Sequence, residues 1–405
     1  MCSIFGAVGL SVNRGILERL SVQAGDRGRD GGRLQSFWDG RVWLGNWRAT
    51  PTTEVEHGLL QPYGGVVHNG TIANADELGL LAGEIDSQVL PRVLDRRSLA
   101  SFWASIGRLR GSYAIAASGA AEPVALLACN YKPIYYADIA GAVYFSSMAR
   151  HFAGLLAPGV APVKMPPYSV LELPGFQSAS LVQAPPKRAV VIASAGLDST
   201  TVAAMLARDG YEVLLLHFRY GCQAGSREAD RIPRIAAALG ARFHIADLDY
   251  GAMRGTSGIM TPGGAVAGPV EGAEWAHEWV PARNLVMLAW ATAFAEANGF
   301  HYIALGNNLE EAGAYPDNEE EMTTLFGALL PNAVQNGYGM EVLAPVGHLM
   351  KHEIVRIGLD IGAPYGETWS CYHDGERHCG ECGPCYMRRT AFERNGALDP
   401  VFKER

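Results

Sequence analysis

Residues 190–200 read Val190-Val191-Ile192-Ala193-Ser194-Ala195-Gly196-Leu197-Asp198-Ser199-Thr200, and the architecture of the chain turns on them. The apolar, β-branched run over 189–193 predicts a strand buried on both faces. Ser194, Ala195 and Gly196 then make a tight turn, and helical spacing follows over 199–208. Small residues between a buried strand and a helix N-terminus let backbone N–H groups approach a phosphate, and the helix dipole favours the anion. No Gly-Lys-Ser/Thr closes the turn, so it is not a Walker A loop. Downstream, 213–218 reads as another strand and 228–239 as another helix, and strand alternating with helix predicts a parallel sheet.

Upstream the style changes. Pro158, Pro162, Pro166, Pro167, Pro174, Pro185 and Pro186 mark a connecting segment. Before it stand short β-like runs at 3–8, 41–44, 65–68, 112–117, 124–128 and 143–145, separated by Gly and Asn turns. The expected division is residues 1–180, connection included, and residues 187–405. At 405 residues the prior is two to three domains of ~150 residues each.

Apolar residues make up 48% of the chain and charged residues 18%, which allows large cores and excludes wholesale disorder. Asp and Glu number 41 against 33 Lys and Arg, a net charge of −8. That balance leans against a broad phosphate-binding face, and so against a tRNA or DNA substrate, while leaving room for a local basic groove. No run approaches the ~18–20 apolar residues of a membrane span, and no basic leader marks the start. Of seven cysteines, Cys371, Cys379, Cys382 and Cys385 crowd together, which reads as a metal site in a reducing, cytoplasmic setting rather than a disulfide framework.

Cys2 follows Met1 directly. Freed of Met1 it would carry an α-amine of pKa ~7.7–8.0 beside its own thiol, a suitable general base for a strong nucleophile; taken alone, it reads rather as a small hydrophobe starting a strand. Downstream come Arg27-Gly28-Arg29-Asp30-Gly31-Gly32, Gly45-Asn46-Trp47-Arg48-Ala49-Thr50, Val67-His68-Asn69-Gly70-Thr71-Ile72-Ala73-Asn74 and Lys132-Pro133-Ile134-Tyr135-Tyr136. In this order the series resembles class II glutamine amidotransferase domains, the N-terminal-nucleophile (Ntn) hydrolases that open Cys-Gly-Ile-Phe-Gly. The resemblance implies an αββα sandwich over residues 2–150. It makes Cys2 the nucleophile on the glutamine amide, and Asn69 and the Gly70 N–H the oxyanion hole. Arg48 would hold the glutamine α-carboxylate, and Asp86 its α-ammonium. The plain alternatives are a surface ion pair for Arg48 and a hairpin turn for Asn69-Gly70. Ser3 replaces the usual Gly, Arg29 a Pro, and Asn46-Trp47 a His-Thr pair; Trp47 is expected to bear on glutamine access.

The stretch Ser194-Ala195-Gly196-Leu197-Asp198-Ser199-Thr200 resembles the Ser-Gly-Gly-x-Asp-Ser signature of N-type ATP pyrophosphatases, the PP-loop proteins of adenine nucleotide α-hydrolase-like fold. These residues would bind ATP, with Mg2+. Ala195 replaces a Gly, which is tolerable at negative φ and troublesome at positive φ. Leu216-His217-Phe218-Arg219-Tyr220-Gly221 with Gln223 and Glu228, Val280-Pro281-Ala282-Arg283-Asn284, Ala304-Leu305-Gly306-Asn307-Asn308, Tyr315-Pro316-Asp317 and Thr368-Trp369-Ser370-Cys371-Tyr372 are similar to 7-cyano-7-deazaguanine synthases over residues 188–396. The resemblance implies Arg283 and Lys351 near the phosphates, and Tyr315 and Asp317 in a 7-deazaguanine pocket. Solvated helix-end cations and a turn aspartate are the plain alternatives. Asn318-Glu319 replaces a usual Cys-Arg, and the acidic run to Glu321 is expected to alter the charge the pocket accepts.

Cys371, Cys379, Cys382 and Cys385 suit structural tetrahedral Zn2+, with an iron–sulfur cluster as the other user of such ligands; the resemblance favours zinc. Cys129 and Cys222 read as ordinary core or loop cysteines. A glutaminase joined to an adenylating domain releases ammonia uncharged beside an activated carbon. The expected function is glutamine-dependent nitrogen transfer to the 7-carboxy or 7-cyano substituent of a 7-deazaguanine, by a homodimer with no membrane role. Because of the fusion and Glu319, an amidine product is preferred to the nitrile. The alternatives are an asparagine-synthetase-like amidation of another small carboxylate, and a non-catalytic scaffold for nucleotide or base.

Overall fold

The computed structural model describes residues 2–49, 60–182, 184–253, 255–261, 264, 278–312, 315–335 and 339–402. The chain divides into two compact units, Met1–Gln183 with Gln335–Gly337 and Ala184–Val334 with Tyr338–Arg405.

The first unit contains β1 (Ser3–Val8), α1 (Arg14–Ala24), β2 (Gly31–Phe37), β3 (Val42–Arg48), β4 (Val66–Ile72), α2 (Leu90–Val93), α3 (Leu99–Ile106), β5 (Gly111–Ser118), β6 (Ala125–Cys129), β7 (Tyr135–Ile139), β8 (Ala142–Ser146), β9 (Val163–Lys164), β10 (Ser169–Leu173) and β11 (Gln177–Ser180). Among the described residues the strands form two antiparallel sheets, ordered β2-β3-β1-β8-β7-β9 and β11-β10-β6-β5-β4. Side chains alternate across a strand, so each sheet has two apolar faces to bury. Ile4, Val8, Val42, Leu44, Val67 and Ala116 pack between the sheets. Phe5 and Ala7 pack on Leu17 and Leu20 of α1. Val66 and Ile115 pack on Phe102 and Ile106 of α3. The layers therefore run helix, sheet, sheet, helix. The helices escape a strand-by-strand reading because they are short, 11 and 8 residues, yet each has a local start signal. The Asn13 side chain accepts from Ile16 N at α1, and Ser98 accepts from Ser101 N at α3.

The second unit contains β12 (Arg188–Ile192), α4 (Leu197–Arg208), β13 (Glu212–Arg219), α5 (Gly225–Leu239), β14 (Arg242–Asp247), α6 (Arg283–Asn298), β15 (Tyr302–Ala304), α7 (Leu309–Ala312), α8 (Glu320–Ala333), β16 (Glu341–Leu343), α9 (Lys351–Asp360) and α10 (Gly383–Arg394). Its sheet is parallel throughout, ordered β14-β13-β12-β15-β16. One face packs on α4, α5 and α9 through Val202, Ile232 and Ile354. The other packs on α6 and α8 through Leu288, Ala291 and Phe326. Burial on both faces explains why β12 is apolar without alternation. Chain order reverses between β12 and β15, and in such sheets the crevice at the carboxyl ends of those strands takes the ligand. No helix among the described residues is long and apolar enough to cross a membrane.

Candidate functional site

A cavity of 350 Å³ opens at that reversal. Ser194, Gly196, Asp198 and Ser199 line it from the end of β12 and the start of α4, and Gly306 and Asn307 line it from the loop after β15. No side chain caps the N-terminus of α4, so its first-turn N–H groups remain open to an anion. Gly306 is required by close approach: a Cβ there would stand 2.6 Å from Ser199 N. Ala195 adopts φ +63°, the left-handed conformation that its replacement of Gly makes costly. Ala282, at the entry to α6, has φ +50°. Strained backbone thus flanks the cavity on two elements.

Lys351 begins α9 and reaches Asp198 Oδ2 at 2.5 Å and Glu311 Oε1 at 3.1 Å. Asn308 Nδ2 donates to the same Asp198 oxygen at 3.2 Å. Burial opposes the Lys351 charge, but the two carboxylates outweigh it and raise its pKa. Burial raises Asp198, whereas at Glu311 Lys351 outweighs burial and lowers the pKa. Lys351 is therefore not a free cation for phosphate; it is held between two acids. Asp198 Oδ1 is buried with no partner among the described residues. An open carboxylate oxygen beside an anion site fits Mg2+, a hard cation bound by one or two carboxylates plus phosphate oxygens.

At the other end, Arg283 Nη1 donates to Tyr220 Oη at 3.2 Å. Burial works against its charge, but the Tyr220 hydroxyl and Asp317 offset it and raise the pKa. Asp317 lines the cavity and accepts from Asn284 N at 3.1 Å, so it also caps α6. Tyr315 lies parallel to Trp279, with ring centroids 6.1 Å apart, and donates to Glu278 Oε2 at 3.4 Å. Glu319, by contrast, is an exposed N-cap of α8 outside this lining. The expectation that the acidic run sets the charge of the pocket is corrected: Glu319 and its neighbours face solvent at a helix start. Asn318 is the buried member, accepting from Asn284 Nδ2 at 2.9 Å.

Cys222, expected as a core or loop cysteine, stands in the loop after β13 and packs on the core. It lines the cavity, its thiol donating to Glu228 Oε2 at 3.8 Å. Glu278, Trp279, Glu311 and Asn308 are further residues that motif reading left unassigned. Asn308 alone stood inside a quoted motif, Ala304 to Asn308, without a role.

The sulfurs of Cys371, Cys379, Cys382 and Cys385 all lie within 4.8 Å of one another, with Cys379–Cys385 at 3.9 Å and Cys371–Cys382 at 4.0 Å. A tetrahedral zinc with ~2.3 Å bonds sets its sulfurs ~3.8 Å apart. Backbone N–H groups of His373, Glu381 and Cys382 point at the sulfurs at 3.3–3.4 Å, as thiolates require. Gly380, at φ +80°, makes the turn between the second and third. The donor set fits zinc, closed and structural. Next to it, buried Arg388 binds Asp399 through two bonds of 2.7 and 2.9 Å and Thr368 Oγ1 at 2.6 Å.

In the first unit, strand alternation assembles a second constellation. Val42 and Leu44 point between the sheets, so Arg48 does too, and it is buried. Val67 points there, so Asn69 follows; Ile4 points there, so Cys2 precedes it. Cys2 Sγ lies 3.4 Å from Ala49 N. Asn69 is 3% exposed, and its Nδ2 has no partner among the described residues. Asn69-Gly70 is no hairpin turn: both lie inside β4, paired with Ala114 and Tyr113 of β5. Gly70 has φ +150°, and a Cβ there would meet Ser112 O at 1.9 Å. Asp86 Oδ2 accepts from Ile72 N at 2.6 Å, which ties it to the end of the same strand. Trp47 is corrected as a gate. Its indole donates to Ser21 O on the α1 side of the sheet, opposite the face of Arg48. Thr50 lies outside the described residues.

The family described as queuosine biosynthesis protein QueC matches residues 188–396. The chain is 44% identical over 391 residues to a 7-cyano-7-deazaguanine synthase of Sulfolobus acidocaldarius, across 89% of this chain and 84% of that one. It is 42% identical over 386 residues to 7-cyano-7-deazaguanine synthase 2 of Sulfurisphaera tokodaii, with the same coverage. A 7-cyano-7-deazaguanine synthase of Methanothrix thermoacetophila matches 53% of this chain but 97% of itself, at 42% identity. Some relatives thus share nearly the whole chain and others about half of it. This chain belongs to the queuosine biosynthesis protein QueC family.

Proposed function

We propose that the protein is a glutamine-dependent 7-cyano-7-deazaguanine synthase. The first unit releases ammonia from glutamine, and the second uses ATP to install that nitrogen as the nitrile of 7-carboxy-7-deazaguanine. The observation that carries the glutamine half is the orphaned Asn69 Nδ2, a buried donor facing the same space as Cys2 and Arg48. An unpaired buried amide costs ~1–3 kcal/mol and calls for a use. An oxyanion forming as the Cys2 sulfur bonds to the glutamine amide carbon supplies that use; ammonia then leaves and water cleaves the thioester. Arg48 orients the α-carboxylate, and Asp86 stands near the end of β4 for the α-ammonium.

In the second unit the open N-terminus of α4 and Ser194 to Thr200 receive the pyrophosphate of ATP, and Asp198 Oδ1 would hold Mg2+, which would offset the phosphate charge. Lys351 fixes Asp198 and Glu311 beside the phosphates, and Arg283 holds positive charge at the other end of the cavity. The parallel rings of Tyr315 and Trp279 face the 7-deazaguanine, with Asp317 and Glu278 as acceptors for its N–H edge. ATP activates first the carboxylate and then the amide oxygen, with AMP and pyrophosphate as products. Zinc holds the C-terminal segment and takes no part in the reaction. The nitrile replaces the amidine as the proposed product because Glu319, which favoured the amidine, lies outside the cavity, and because relatives matching both halves bear the nitrile-forming name.

The test supplies the protein with amide-15N glutamine, ATP and 7-carboxy-7-deazaguanine, and weighs the products. A labelled nitrile is the expected result; an unlabelled product or a labelled amidine overturns the reading. Cys2→Ala should lose glutamine use and keep ammonium use, and loss of both would overturn the two-site division.

A further inference from the structure

Glu228 sits in the first turn of α5 and lines the cavity at the sheet reversal. Among the described residues its hydrogen-bond partner is the Cys222 thiol, at 3.8 Å, a weak donor. Among the described residues no ion pair holds it. The groups that face it are Cys222 and Tyr220 from the end of β13 and Arg283 from α6, and Arg283 is engaged with Tyr220. A half-buried carboxylate with no cation or N–H at bonding distance among the described residues is costly in a merely structural place. Cys222 is itself held protonated, burial pushing its thiol up to about 12, so it orients Glu228 and does not attack.

The proposed reaction needs a base at this point. Nitrogen enters with N–H bonds and leaves as a nitrile with none. When the adenylated amide collapses, the C–O bond to AMP breaks, the last N–H proton must be taken, and its electron pair becomes the third C–N bond. Asp198 and Glu311 are both committed to Lys351, and Asp317 caps α6. We infer that Glu228 is the catalytic base that removes the nitrogen-bound protons as AMP departs. This inference rests on the synthase reading of the same cavity. Burial lifts the Glu228 carboxyl to about 7 against the pull of Arg283, which suits a base working near neutral pH.

The amide-to-nitrile half of the reaction isolates the step, since it needs neither glutamine nor ammonia. The 7-carboxamide of 7-deazaguanine and ATP are supplied to the intact protein, and nitrile formation is followed by mass. For wild type the expected kcat rises with pH through an acid limb centred near 7. For Glu228→Gln, kcat falls ~10²–10⁴-fold, the KM for the amide holds within a factor of three, and the acid limb disappears. Glu228→Asp should regain part of kcat and the limb. A Glu228→Gln protein with near-wild-type kcat, or one changed in KM alone, overturns the inference while leaving the synthase reading intact. Should neither variant fold, a wild-type profile flat between pH 5.5 and 8.5 overturns it. A wild-type protein that makes no nitrile from the amide overturns the synthase reading itself.

Discussion

The two units support their reactive groups differently. In the N-terminal unit Cys2, Arg48 and Asn69 stand at or beside strands whose alternation alone aims them into one space. In the C-terminal unit the cavity draws on loops and helix starts from Ile192 to Arg388, brought together because β12 and β15 are neighbours. The first arrangement leaves a donor unpaired among the described residues, which the proposed glutaminase would turn on charge that appears only during reaction. The second pairs most of its charges beforehand, around Lys351 and Arg283. A strand-borne site is therefore expected to tolerate global loosening poorly but to lose one function per side chain. A topology-borne site is expected to fail as a whole when its C-terminal anchor fails.

The largest effect should come from that anchor. Structural zinc contributes on the order of 10 kcal/mol in small domains, so Cys385→Ser should cost the bound metal, read by elemental analysis. It should also cost the cooperative unfolding of the second unit, while the glutaminase of the first survives. Arg388→Met strands Asp399 in the core and should destabilise the second unit by ~3–5 kcal/mol in denaturant melts; replacing both residues by apolar ones should recover much of this. On the other side, Asn69→Ala should lower the kcat of glutamine hydrolysis ~10²–10³-fold with unchanged stability and unchanged use of ammonium. A fall in both activities would erase the contrast between the units. The smallest effect belongs to Ala195→Gly. Relief of the left-handed strain, less the added chain entropy, should raise stability by up to about 1 kcal/mol in thermal unfolding.

Legibility followed the same division. Buried parallel strands announce themselves by continuous apolar runs, so β12 and β13 were read within a residue or two of their ends. In the first unit β2 and β7 went unread because each has partly exposed faces and a mixed pattern. The thiol cluster was legible because metal chelation demands short spacing. Glu311, Glu278 and Cys222 were not, since nothing near them in the chain shows that they meet one cavity. The acidic run at Glu319 misled for the converse reason: charge beside a motif says nothing of which way a helix start will face.

The sequence by itself determined that a strand-rich module opening on Cys2 precedes a parallel-sheet module with a small-residue turn at a helix start, and that four cysteines near the end are spaced to hold a metal. Those features are local, set by period, turn chemistry and ligand spacing over a few residues. Only the tertiary structure decided that Ala195 is strained, that Lys351 is clamped between Asp198 and Glu311, and that Glu228 faces Arg283 without an ion pair among the described residues. Burial and partnership depend on residues far apart in the chain, and no short-range pattern encodes which of them a folded sheet will bring together.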